Sequence, residues 1–160
     1  METVYHWPAD FPPLPVEEST TIIVGKVTEA KAHISEDRSG VYSEVTVKVD
    51  EVLKDTTGIG GMIVAEREGG RVRFPSGTIF RYVVHSLGVP KVNHRYLLFL
   101  KPLVDGDFSI LTGYQLLDGR VEPLDVTSVV PFAQYKASDE TALFSEVRNL
   151  VMKQTSTLKD

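Results

Sequence analysis

The clearest pattern in the chain is a two-residue alternation from Val41 to Val49. Val41, Ser43, Val45, Val47 and Val49 interleave with Tyr42, Glu44, Thr46 and Lys48, which predicts a strand with one buried and one wet face. The phase shifts at Asp50-Glu51 before Val52 and Leu53, and a β-bulge is expected there. Two other stretches are apolar without alternation. Tyr96-Leu97-Leu98-Phe99-Leu100 has strand length and predicts a central strand covered on both faces. Ile22, Ile23, Val24 and Val27 begin a β-branched run that continues to Ile34, with Gly25 inside it. A glycine in such a run marks a bulge or a close approach of another backbone.

Turn chemistry divides the rest. Ser35 to Gly40 reads as a hairpin loop. Gly58, Gly60 and Gly61 precede a short strand, Met62 to Ala65. Gly69-Gly70 is expected to be a two-residue hairpin turn leading into Arg71-Val72-Arg73-Phe74. Pro75-Ser76-Gly77 is a further turn, and Ile79 to Val84 has strand composition. Asp105-Gly106 and Asp118-Gly119 each supply the positive φ that a tight hairpin requires.

The last apolar pattern has a different period. Leu143, Val147, Leu150 and Val151 fall three and four apart, which predicts an amphipathic helix over residues 139–153. Ser138 is the expected cap, Asp139 and Glu140 suit the first turn, and Lys153 suits the last. The tail beyond Gln154 is expected to fray. At the other end, Pro8, Pro12, Pro13 and Pro15 forbid a regular element over much of residues 1–20. Tyr5, Trp7, Phe11 and Leu14 lie among them, so this arm is expected to lie against the body formed by residues 21–160.

Composition adds bounds. The chain has 160 residues and 42% hydrophobic content, enough for one self-supporting core. It has no cysteine, which excludes disulfides, thiolate metal sites and cysteine nucleophiles. The net charge of −5 disfavours a general affinity for nucleic acid or anionic membranes. No apolar run is long enough to span a bilayer, and the first residues lack the basic and apolar regions of a signal peptide.

Short strands, glycine-rich turns and one helix predict a mainly β protein, a barrel or sandwich with a C-terminal α-helix. The order of Ile23-Val24-Gly25-Lys26-Val27, then the hairpin ending Val47-Lys48-Val49-Asp50-Glu51-Val52-Leu53-Lys54, then Arg95 to Leu100, carries a resemblance over residues 20–125. It resembles the N-terminal domain of tissue inhibitors of metalloproteinases and the netrin-like modules, and more closely uncharacterised bacterial proteins of the same pattern. The resemblance implies an OB-like β-barrel in an exported bacterial protein whose signal peptide is absent from this chain. Those inhibitors chelate the protease zinc through an N-terminal cysteine, which this chain lacks, so their mechanism does not carry over.

Candidate chemistry is sparse. His6, His33, His85 and His94 show no ligand spacing, so no metal site is expected. No Gly-x-Ser-x-Gly elbow and no phosphate-cradling loop occurs, so no cofactor and no enzymatic activity are expected. Asp105-Gly106-Asp107 lacks the further oxygen ligands of a calcium loop. One charge feature stands out. Residues 66–101 hold seven basic residues against two acidic ones, with Phe74, Phe80, Tyr82, Tyr96 and Phe99 interleaved. Arg71, Arg73, Arg81 and Tyr82 are the candidate binding residues there, with Tyr5 and Trp7 on the arm. The expected function is a binding module for a protein or a glycan. The alternative is single-stranded nucleic-acid binding through that basic aromatic segment.

Overall fold

The structure, a computed structural model, describes residues 1–159. Nine strands run in chain order: β1 (Glu2–Val4), β2 (Thr21–Ile34), β3 (Val41–Asp55), β4 (Met62–Glu68), β5 (Gly70–Arg73), β6 (Ile79–His85), β7 (Arg95–Pro102), β8 (Phe108–Leu117) and β9 (Arg120–Pro123). A short 3-10 turn (Phe132–Tyr135) and one helix, α1 (Glu140–Lys159), complete the elements of the described residues. The large sheet has the order β4-β3-β2-β7-β8-β9, and a parallel pairing of β4 with β8 closes five of its strands into a ring. The small sheet has the order β1-β6-β5.

The interior of the ring is filled from all five strands by Ile23, Val27, Val45, Val47, Ile63, Ala65, Tyr96, Leu98, Leu100, Phe108 and Ile110. A second core lies outside it. Ile22 and Val24 of β2, Leu97 and Phe99 of β7, and Tyr114 and Leu116 of β8 pack there against Trp7, Leu14 and Val16 of the arm and Leu143, Phe144 and Val147 of α1. This explains the two kinds of apolar pattern. β2 and β7 are covered on both faces, so their runs are continuous, while β3 keeps one wetter face and alternates. β8 changes sides partway along. A register shift against β7 leaves Leu111 unpaired, so Phe108 and Ile110 point into the ring while Tyr114 and Leu116 point out.

The bulges expected along β2 and β3 are present. Val24 pairs with Glu51 but Gly25 pairs with Val49, leaving Asp50 as the extra residue. A Cβ on Gly25 would stand 2.6 Å from the Lys48 carbonyl oxygen, so only glycine fits. Asp118 and Gly119 both have positive φ, as the β8–β9 hairpin requires.

Four expectations need correction. Gly69-Gly70 is not a hairpin turn. β4 pairs with β3, and β5 pairs with β6, so the two glycines carry the chain from the ring to the small sheet. Their φ angles are 114° and 139°, a region open to glycine, and Ser43 Oγ donates to the Gly69 carbonyl at 2.7 Å. The arm is partly regular, since Glu2–Val4 pairs in parallel with Val83, Val84 and His85. Asp139, not Ser138, caps α1: its carboxylate accepts from the Ala142 N–H at 3.0 Å. The helix also continues past Gln154 to Lys159.

Polar ties fix the arm. Tyr114 donates its hydroxyl to the Pro13 carbonyl at 2.6 Å, and Trp7 donates its indole N–H to the Ser86 carbonyl at 3.2 Å. Lys54 Nζ donates to the carbonyls of Val16 and Ser19 and to Gln154 Oε1, joining β3, the arm and α1. Burial pushes the Tyr114 hydroxyl up, keeping it a neutral donor. Replacing Trp7 with alanine is therefore expected to cost about 3–5 kcal/mol and lower the melting temperature by roughly 10 °C. Deleting residues 1–19 should lower it further. Thermal unfolding followed by circular dichroism checks both, and unchanged melting would mean that the arm does not cover the ring in solution.

Candidate functional site

The arginines of the basic segment separate into three groups. Arg67 is buried at the end of β4, where it pairs with Asp125 at 2.8 Å. Its guanidinium also donates to the carbonyls of Gly88 and Leu111. Asp125 accepts in addition from the Gly88 N–H and the Thr112 hydroxyl, so both charges are satisfied inside the protein. Arg95 lies 3.8 Å from both Asp50 and Glu140. Arg67 is thus tied into the interior, and Arg95 is engaged with carboxylates at the surface.

Arg71, Arg73 and Arg81 differ. Arg71 is the register partner of Arg81, and Arg73 of Ile79. All three are exposed, while Val72, Phe80 and Tyr82 alternate to the opposite side and pack against Val41, Ala32 and Ile34. Among the described residues no carboxylate lies within ion-pair distance of these three guanidinium groups. The same outer face carries exposed Ile79 and Val4, with Glu2 and His85 paired at 3.3 Å along its β1 side.

The aromatic candidates do not join this face. Tyr82 is buried and donates its hydroxyl to Glu68 at 3.1 Å. Tyr96 and Phe99 are wholly buried in the two cores. Trp7 is buried among Tyr5, Phe11 and Phe132, with ring centroids about 5 Å away. Tyr5 is exposed, with its ring edge-to-face against Trp7. The sequence mixes aromatic and basic residues because strand alternation places them on opposite faces.

A second charged face was not legible in the sequence. β2, β3 and β4 present His33, Glu44 and Glu66 side by side, and Glu44 and Glu66 are direct cross-strand partners. Asp105 and Asp107 of the β7–β8 turn add negative charge nearby. Burial, then the Glu44 charge, raises the Glu66 carboxyl above the usual carboxylate range. Asp107 is raised by burial, then by Asp105 and Glu44. Among the described residues, His33, Glu44 and Glu66 are the group able to hold a metal ion. His85 and His94 are engaged elsewhere, with Glu2 and Gln115.

No protein-family model matches the chain, and no curated protein matches its sequence.

The division among the arginines is measurable by urea denaturation. Alanine at Arg71, Arg73 or Arg81 is expected to change stability by no more than about 0.5 kcal/mol each. Alanine at Arg67 should cost about 3–5 kcal/mol, because it strands the Asp125 charge in the interior.

Proposed function

We propose that the five-strand ring is an OB-type barrel of the kind found in tissue inhibitors of metalloproteinases and netrin-like modules, and that the protein is a non-enzymatic interaction module. Its partner is a protein that presents an acidic segment to Arg71, Arg73 and Arg81. The barrel reading is supported by the strand order. Five strands form a ring in which the first, β2, lies between the second and fourth, and the last, β8, returns beside the third.

The observation that carries the binding reading is the Arg71–Arg81 register pair. Like charges directly opposite on neighbouring strands are destabilising, and among the described residues no carboxylate lies within ion-pair distance of either guanidinium. An acidic partner segment would. The chain's net charge of −5 makes an exposed cluster of three arginines a local feature with its own attraction for anions.

Other ligands fit less well. Single-stranded nucleic acid is held by stacking bases on exposed aromatic rings, and here Tyr82, Tyr96 and Phe99 turn inward. In OB folds the second and third strands form the usual nucleic-acid face, and in this chain those strands, β3 and β4, carry Glu44, Glu66 and Glu68 on that side. A glycan would likewise find Tyr82, Tyr96 and Phe99 turned inward, with Phe74, just beyond β5, as the exposed ring of the segment. A protein segment gains from the guanidinium groups and from exposed Ile79 and Val4.

An oligoglutamate peptide serves as the probe. Binding at low ionic strength, measured by fluorescence anisotropy, is expected to weaken about 10- to 100-fold in the Arg71→Ala, Arg73→Ala, Arg81→Ala triple variant and to fall as salt is raised. Equal binding by that variant, or none by the wild type at low salt, would reject the reading. Tighter binding of oligothymidine or a sulfated oligosaccharide through the same arginines would reject the protein partner in favour of those ligands.

A further inference from the structure

We propose that His33, Glu44 and Glu66 form a binding site for a first-row divalent metal ion of the zinc type, on the face of the ring opposite in charge to the arginine cluster. The site is assembled by three neighbouring strands. His33 comes from the end of β2, Glu44 from β3 and Glu66 from β4, and one donor atom from each lies within 4.8 Å of the other two. The His33 ring lies 3.6 Å from Glu44 through Nδ1 and 3.6 Å from Glu66 through Nε2. Tyr42, the register partner of His33, places its ring nearly parallel to the imidazole, with an interplanar angle of 21° and centroids 6.1 Å apart.

Two features of the arrangement favour a cation over a simple surface charge group. Glu44 and Glu66 are register partners, so two carboxylates are held opposite one another at a cost to the sheet. Lys31 is the register partner of Glu44 on β2 and would be the natural counter-charge, but it lies 3.4 Å from Glu29 instead. Among the described residues, the histidine is then the cationic group within ion-pair distance of the two carboxylates, whose negative charge Asp105 and Asp107 extend. An imidazole donor selects against magnesium and calcium, which take oxygen ligands, and suits zinc, nickel or copper.

The geometry leaves room for the ion. Zinc–nitrogen and zinc–oxygen bonds of about 2.0–2.2 Å place tetrahedral ligand atoms a little over 3 Å apart. One ion takes one nitrogen of His33, so the glutamate facing the other nitrogen has to swing across by rotation about its side-chain bonds, and the three donors, within 4.8 Å of one another, have to close by about 1.5 Å at most. The His33 and Glu44 side chains are 44% and 41% exposed and Glu66 is 23% exposed, so an ion has access from solvent. Three protein ligands leave a position for water.

The test is calorimetric titration of Zn2+ into the chelator-treated full chain, with Co2+ absorption as an independent report of the ligand set. One equivalent is expected to bind, with affinity falling as pH is lowered because protons compete for the same donors. His33→Ala and Glu66→Gln should each weaken binding by about 10- to 100-fold. Glu44→Gln should also weaken it, while raising the melting temperature of the metal-free protein by removing the like-charge pair. His85→Ala, at the other histidine–glutamate pair, should bind as the wild type does. Binding unaffected by His33→Ala, preference for Mg2+ over Zn2+, or a Glu44→Gln variant that is stabilised but binds Zn2+ normally would each overturn the site. The metal-free melting curves reveal any variant that fails to fold, and for such a variant His33→Gln provides the same comparison.

Discussion

The ring depends on how its weakest seam is held. β4 and β8 pair in parallel over only two residues, Ala65 with Phe108 and Glu66 with Ser109. Beyond them the backbone ladder stops, and the side chain of Arg67, the next residue, takes over. It donates across the gap to the Leu111 carbonyl and closes on Asp125 and Gly88. A buried arginine is tolerated here because every charge has partners. Without the seam the interior apolar set drawn from five strands would open to water at one end.

The outer core makes the second demand. A ring fills its own interior, but β2, β7 and β8 also present apolar residues outward. The arm and α1 cover them from opposite ends of the chain. That cover is selective: it leaves the β3–β4 side and the outer face of the small sheet open. The two exposed charge clusters lie on those open surfaces. Both contain like charges set directly opposite across neighbouring strands, Arg71 with Arg81 and Glu44 with Glu66. Each arrangement is unfavourable to the isolated sheet and gains from a ligand of the opposite sign.

Much of this was legible in the pattern of residues. The alternation of β3, the apolar runs of β2 and β7, the bulge at Asp50, the Asp118-Gly119 turn and the apolar stripe of the helix follow from local rules about period and φ. The candidate arginines were legible by type, yet their separation was not. Arg67 and Arg71 look alike in sequence, four residues apart, but one ends a strand of the ring and is buried while the other begins a strand of the small sheet and is exposed. Tyr82 was singled out as a candidate binding residue and is buried, because Val41 and Val84 come beside it only in the folded chain; the burial of Trp7 is the packing expected of the aromatic arm.

The sequence by itself determined the elements: which segments extend, where they turn, and which strands need cover on two faces, because those properties depend on residues within a few positions of one another. Tertiary structure decided the pairings across long separations. It turned Gly69-Gly70 from an apparent hairpin into a crossing between sheets, brought Asp125 to Arg67, and set His33 beside Glu44 and Glu66. Those outcomes depend on strand register, and register is fixed by the packing of the whole ring, which no local spacing records.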